Sequence, residues 1–408
     1  MRILLIHQYF LEDNAGGGSR WNEMSRIWTE AGHELTVLAG TVHYMSSQKS
    51  MGKTKNFSKT KNKDGVTVIR CPVYANYNKN FTGRLLAYFS FAFSSSRAGL
   101  FYTKSKYDLI IVSSPPLFVG IAGLVLSFFK AVPFVFEVRD LWPESAIETG
   151  VLKNKILIKL AFWFEKLVYR KARLISVLTP AFKDKLIAKA VPEEKIIYIP
   201  NAADFETVEN VLRTFDEKAF KIKHHFENKF VLTYVGAHGI ANALVQILIT
   251  AELLREENVC FLLIGGGMKK DDLMLEAVNR KSDNVRFVDE VSKKDAIRYI
   301  LASDMGISIL KKTEVFKTVY SNKTFDYFSC RKPVLMAIDG ISRKLVEDAD
   351  AGVYIEPENP EDFAKKVRHY LNNPDLIKRH GENGYAFAKI NFNREILAQQ
   401  YLNYIVGL

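Results

Sequence analysis

The chain has 408 residues, 57 Lys and Arg against 45 Asp and Glu, three Cys and 48% hydrophobic residues. At about 100–200 residues per domain the length predicts two or three domains, and the ordinary charged and hydrophobic fractions exclude a disordered, collagenous or coiled-coil chain. Cys71, Cys260 and Cys330 lack any CxxC spacing, which excludes a disulfide scaffold or a Cys-rich zinc site and fits a reducing cytoplasm. The net charge of +12 calls for an anionic partner: nucleic acid, a phosphate-rich ligand or an anionic membrane face.

Taken in order, Arg2 to Ile6 reads as a compact apolar strand, and the run before His7 is too short for a signal-peptide core. Gly16-Gly17-Gly18 breaks the chain, a helix runs from about Arg20 to Ala31, Gly32 caps it, and Leu35 to Ala39 is the next strand. Strand, glycine loop, helix and strand make one right-handed parallel unit. Lys49, Lys53, Lys55, Lys59, Lys61 and Lys63 then fall in an acid-free run. This run is either a solvated loop or an electrostatic attachment to an anionic surface.

Further strands are predicted at 66–69, 109–112, 134–138 and 174–178. Their continuous apolar character suits strands covered on both faces. Leu117 to Phe129 is apolar but falls short of the ~20 residues that span a bilayer, so it reads as a buried helix. From Val151 to Arg173 the chain is strongly basic. On a helical wheel Lys155, Lys159, Lys166, Arg170 and Arg173 share one side, a solvated face or a membrane-binding strip, while Ile156, Leu160 and Phe164 are expected to pack inward. After a polar stretch between Asn201 and Asn228, strands resume at 230–236, 261–265, 285–288, 305–310 and 333–336. The fold class is α/β, with two Rossmann-like domains.

Three segments concentrate chemistry. Gly16-Gly17-Gly18 between a strand and a helix, and Gly265-Gly266-Gly267 after a strand, are each either a tight turn or a close approach of backbone N–H groups to an anion. Neither is G-x-G-x-x-G, and no acid ends the second strand, so a dinucleotide dehydrogenase is disfavoured. Phe136 to Glu144 delivers Arg139 and Asp140 to a strand end, where Asp140 is placed to accept from sugar hydroxyls and Arg139 to meet phosphate; the bland reading is a strand-end ion pair. Ser321 is a predicted N-cap that sets Asn322 and Lys323 in the first turn of a helix, a seat for a diphosphate, with Asp326 on the same face to hold a ribose. Asp348-Ala349-Asp350 sits at a helix end and His224-His225 in a polar linker, so neither is read as a metal site. No nucleophile elbow, P-loop or zincin motif occurs.

With these residues on the page, the chain resembles the family 4 glycosyltransferases of GT-B fold, nearest the branch of bacterial N-acetyl-L-fucosaminyl transferases. The resemblance rests on Ile6 to Phe10 with the first Gly triplet, Val138 to Ser145 (VRDLWPES), Ile199-Pro200-Asn201, Tyr234-Val235-Gly236, Ser321 to Tyr327 (SNKTFDY) and Arg331 to Leu335. It implies two facing domains, an acceptor-binding one over 1–205 and a nucleotide-sugar-binding one over 206–387. A C-terminal helix over 388–408, with Phe392 to Tyr404 against the first domain, crosses back. It also implies a retaining, metal-independent transfer from a nucleotide sugar, a substrate and not a cofactor, with no cofactor needed. The expected donor is a UDP-linked N-acetylated amino sugar, and the acceptor a lipid-linked diphosphate sugar of capsule or O-antigen assembly. The expected location is peripheral, on the cytoplasmic face of the membrane.

The site implied is Arg139, Asp140 and Lys323 for catalysis, with Gly17, Gly18, Gly236, Gly265, Gly266, Ser321, Asn322, Lys323 and Asp326 for the donor. The family's paired Glu are replaced by Thr318 and Asp326, and Ala237 to Asn242 lacks the usual cations. Diphosphate charge is then left to Lys323, with Arg20 or Arg139 as further candidates. A nucleotide-sugar 2-epimerase and a non-catalytic sugar-nucleotide-binding subunit are the rival readings. Nucleic acid is not expected as a partner, since no recognised binding module occurs.

Overall fold

The computed structural model describes residues 1–13, 19–41, 56–74, 81–104, 106–148, 150 and 152–408. Gly16, Gly17 and Gly18, and Lys49, Lys53 and Lys55, lie outside the described residues. The chain forms two units: Met1–Asp13 and Ser19–Pro200 with Glu395–Leu408, and Asn201–Arg394.

The first unit runs β1 (Arg2–Ile6), α1 (Arg20–Glu30), β2 (Glu34–Gly40), β3 (Ser58–Lys61), β4 (Thr67–Cys71), α2 (Phe81–Phe101), β5 (Leu109–Ser113), α3 (Gly120–Lys130), β6 (Phe134–Val138), α4 (Glu144–Glu148), α5 (Lys155–Lys171), β7 (Leu174–Val177), α6 (Pro180–Ala188) and β8 (Ile196–Tyr198). Its sheet has the order β3-β4-β2-β1-β5-β6-β7-β8 and is parallel except for β3. The central strands bury nearly every side chain because helices cover both faces. Gly32 stops α1 with a left-handed φ of 85°, its N–H on the Thr29 carbonyl.

Part of the lysine run is a strand. Lys59 and Lys61 stand exposed on β3, the antiparallel edge, where lysines discourage pairing with another chain.

The second unit runs α7 (Phe205–Leu212), α8 (Glu217–Lys223), β9 (Phe230–Val235), α9 (Val245–Leu253), β10 (Val259–Ile264), α10 (Lys270–Asn279), β11 (Val285–Val288), α11 (Lys293–Leu301), β12 (Met305–Ile309), α12 (Asn322–Ser329), β13 (Val334–Ala337), α13 (Ile341–Asp348), β14 (Gly352–Tyr354), α14 (Pro360–Leu371) and α15 (Asp375–Asn391). Its sheet, β11-β10-β9-β12-β13-β14, is parallel throughout. The polar stretch after Pro200 is helical because Asp204 and Asp216 cap α7 and α8, accepting from the N–H groups of Thr207 and Ala219 at 3.1 and 2.9 Å.

The last helix, α16 (Arg394–Ile405), returns to the first unit. There Ala398, Tyr401, Leu402 and Ile405 join Trp21 and Trp28 in one core, and the Trp28 indole donates to the Ala398 carbonyl at 2.9 Å. The returning segment begins later than expected. Ala388 and Phe392 belong to the second unit's core with Phe325 and Phe328, so 388–394 stays there. Ala203 and Asn393 form a parallel bridge, and the Ala203 N–H donates to the Phe392 carbonyl, which pins both passages of the chain together.

A second correction concerns α5. Its buried face carries Ala161, Glu165, Val168 and Tyr169. Ile156 and Leu160 do not pack inward but lie 69% and 54% exposed. The basic residues Lys155, Lys159, Lys166, Arg170 and Arg173 are exposed as expected.

Candidate active site

Each sheet reverses the order of its parallel strands once, beside β1 in the first unit and beside β9 in the second. Open α/β sheets bind ligands outside the carboxyl ends of the strands at such switch points. Two half-sites follow, one in each unit.

In the first unit the geometry starts from Glu137, fully buried near the end of β6. A carboxylate there is tolerable only if paired and hydrogen-bonded. Arg20 donates to Oε2 through Nε and Nη2 at 3.1 and 3.0 Å, while Trp21 and Ser113 donate to Oε1 at 2.9 and 3.0 Å. Arg20 also donates to the carbonyls of Ile199 and Pro200. Its donors are committed to the fold, which removes it as a diphosphate ligand.

Arg139 lies two residues beyond Glu137 and so on the same side of the strand. Its Nε is 3.9 Å from Glu137 Oε1 and its Nη1 is 3.5 Å from His7 Nε2. Asp140 is half-buried and accepts from the Ser145 hydroxyl at 2.8 Å. Burial raises its pKa, and the nearby Glu144 charge adds to the rise. Just past the end of β1, next to the His7 that meets Arg139, is a residue that sequence reasoning missed. Gln8 is buried, and among the described residues neither of its side-chain amide atoms has a hydrogen-bond partner. An amide with an unused donor and acceptor is suited to a sugar hydroxyl.

In the second unit the loops after β9 and β10 are laced together. The Gly236 N–H donates to the Ile264 carbonyl, the His238 N–H to Gly266 and the Lys269 N–H back to His238, at 2.9, 2.7 and 2.9 Å. Gly265 has φ 141°, and a Cβ on it would stand 2.1 Å from the Gly236 carbonyl oxygen. The glycines Gly265 and Gly267 are therefore required by backbone meeting backbone, a use the sequence did not separate from anion binding. Lys270 is tied to the Gly265 and Val288 carbonyls and to Asp289. Burial, with the Lys270 charge, pulls the His238 pKa down to about 4, so this loop carries no charge from its histidine at neutral pH.

Charge reaches the switch point from α12. Lys323 Nζ sits 4.8 Å from the Tyr234 ring centroid and 3.5 Å from Ser321 Oγ, and its side chain runs past Gly236, where a Cβ would meet Lys323 Cε at 3.3 Å. Burial lowers the Lys323 pKa to about 8, against the opposing pull of Asp326. Ser321 occupies the N-cap position of α12, but its hydroxyl caps no helix N–H and instead receives Lys323. Asn322 is exposed and Asp326 half-buried on the next turn. Lys312 and Lys317 are held by Glu356 and Glu314, and the Thr318 hydroxyl donates to the Val315 carbonyl. Among the described residues no three His, Cys, Asp or Glu stand together as a metal cluster.

The first unit thus sets a carboxylate and a guanidinium at a strand end, with an amide past the end of β1, and the second unit sets a half-buried ammonium at a helix start. Residues 15–202 match the glycosyl transferase 4-like domain, and residues 215–387 match the glycosyl transferases group 1 family. The chain is 24% identical over 417 aligned positions, all of both chains, to the "Putative colanic acid biosynthesis glycosyl transferase WcaI" of Escherichia coli K12. It is 23% identical to the alpha-D-kanosaminyltransferase of Streptomyces kanamyceticus, over 68% of this chain and 71% of that one. Its fold matches that of Anabaena HepE in complex with UDP-glucose, with a TM-score of 0.74 and 16% identity over the whole of both chains. The chain is a glycosyltransferase of GT-B fold, built from a glycosyl transferase 4-like domain and a group 1 domain.

Proposed function

We propose that the enzyme moves a sugar from a UDP-linked donor to a hydroxyl of a lipid-linked saccharide, with retention, in the assembly of a capsule or O-antigen unit. The observation that carries this reading is the half-buried Lys323 at the start of α12, beside Gly236. The full-length similarity to a colanic acid biosynthesis protein and the fold shared with a UDP-glucose complex support it. The kanosaminyltransferase is a relative whose name specifies an amino sugar, in keeping with an N-acetylated amino sugar as the group transferred.

In this reading the donor diphosphate takes its countercharge from Lys323 and from the first-turn N–H groups of α12, which stabilise charge as it develops on the leaving group. Asp326 holds the ribose. Asp140, fixed by Ser145, accepts the hydrogen bond of the acceptor hydroxyl, and Arg139 and Gln8 orient the saccharide. The hydroxyl proton passes to the departing phosphate oxygen on the face from which the nucleotide leaves. No nucleophile on the enzyme is needed.

Thermal shift against a panel of nucleotide sugars tests the donor, since a ligand that binds only the folded state raises its apparent stability. Incubation with and without a lipid-linked acceptor tests the reaction. Transfer should require the acceptor and survive EDTA. Conversion of the donor alone would show an epimerase, and binding without turnover a non-catalytic subunit.

A further inference from the structure

We infer that the outer face of α5 inserts into the headgroup boundary of an anionic lipid leaflet. A helix covering a sheet in water ordinarily turns polar residues outward. Here Ile156, Leu160 and Trp163 are 69%, 54% and 63% exposed. They recur at i, i+4 and i+7, and so share one stripe about 60° wide. Lys159, Lys166 and Arg170 are exposed along one flank of that stripe. The acid of the helix, Glu165, is turned inward and paired with Lys189.

α2, α3 and α5 lie side by side, since a Cβ on Gly99 would meet Leu126 and one on Gly120 would meet Val168 and Phe164. Phe128 and Phe129 are exposed at the far end of α3 from its contact with α5 and stand apart from the stripe. No helix among the described residues is long and apolar enough to cross a membrane, so this face lies on a leaflet and does not span it. An apolar stripe with a cationic flank is the pattern of an interfacial helix. A second copy of the chain would oppose like charges across a two-fold interface, whereas an anionic leaflet satisfies both the apolar and the cationic residues.

The face is also placed to serve the first half-site. Ala161 of α5 packs with Ala146 and Leu152, and Trp142 and Ile158 cover that cluster. Trp142 is only two residues past Asp140. That this brings a lipid-linked acceptor to Asp140 rests on the function proposed above; the membrane contact itself does not.

The test uses Trp163 as its probe in a Trp142→Phe background, because Trp21 and Trp28 are buried while Trp142 is half-buried and would add its own signal. With phosphatidylglycerol-containing vesicles, Trp163 emission should shift to the blue and become protected from aqueous acrylamide, with far weaker binding to pure phosphatidylcholine. Salt should weaken the binding, and the apolar stripe should leave a residue of it at high salt. Ile156→Ser/Leu160→Ser/Trp163→Ser should lower vesicle partitioning at least about tenfold at any salt, and Lys159→Glu/Lys166→Glu/Arg170→Glu should do so at low salt. UDP binding, followed by calorimetry, reads the proposed function separately and should stay at parental strength in both variants. Unprotected Trp163 in the parent, or an apolar variant that co-sediments like the parent, overturns the inference. So does a lipid-free dimer that the apolar substitutions dissociate while vesicle binding persists.

Discussion

Lys323 carries the sharpest predictions at the scale of single residues. Removing it as Lys323→Ala should weaken UDP binding by roughly 1.5–3 kcal/mol, the range of a hydrogen bond to a charged group, measured by calorimetry on a variant of unchanged melting temperature. Its pKa of about 8 adds a sign. The diphosphate favours the ammonium form, so affinity should be held below pH 8 and fall as pH rises through that value. Lys323→Arg keeps the charge at every accessible pH and should lose the decline. Asp140→Asn should cut turnover at least ~10-fold, about 1.4 kcal/mol of barrier, with little change in melting temperature. The positions of Lys323 at a helix start and of Asp140 past a strand end were legible because each sits in a local string. Gln8 and the duties of Arg20 were not. Arg20 meets Glu137 across 117 residues of sequence, and only the folded sheet shows that its donors are spent.

Elements, by contrast, were readable in type and misread in orientation. The continuous apolar runs announced the parallel strands, and glycine marked the end of α1. The wheel of α5 placed its basic strip correctly but could not say which side faces the sheet. The buried side includes Glu165, whose polarity pointed the wrong way until Lys189 is seen to pair with it. β6 makes the same point in energetic terms. Replacing Glu137 with Gln leaves the Arg20 guanidinium buried without its countercharge, which should cost about 3–5 kcal/mol in a urea titration. Gly265→Ala tests the laced loops. Its Cβ would stand 2.1 Å from the Gly236 oxygen at a φ of 141°, so the variant should lose stability and bind UDP more weakly through a displaced Gly236.

For the whole molecule, the length and the two strand series announced two α/β units, and the exact point of return was the part left unread. Phe392 is apolar like Tyr401, and nothing local assigns one to each core. Truncation after Arg394 should show what the return is worth. Tyr401, Leu402 and Ile405 are buried against Trp21 and Trp28, and at about 1.5–3 kcal/mol each their loss rivals the whole stability of a typical domain. The truncated chain should unfold its first unit at a much lower temperature, reported by Trp21 and Trp28, and its second unit at the parental one.

The bridge between Ala203 and Asn393 has a practical corollary. Topologically the second unit is an insertion in the first, and its two ends are already fastened side by side by the hydrogen bonds of Ala203 and Arg394. A segment whose ends meet is one that can be lifted out without leaving them astray. Residues 201–394, expressed alone, should fold as a portable module with the UDP affinity of the parent, and the first half could then receive a foreign module at the same seam.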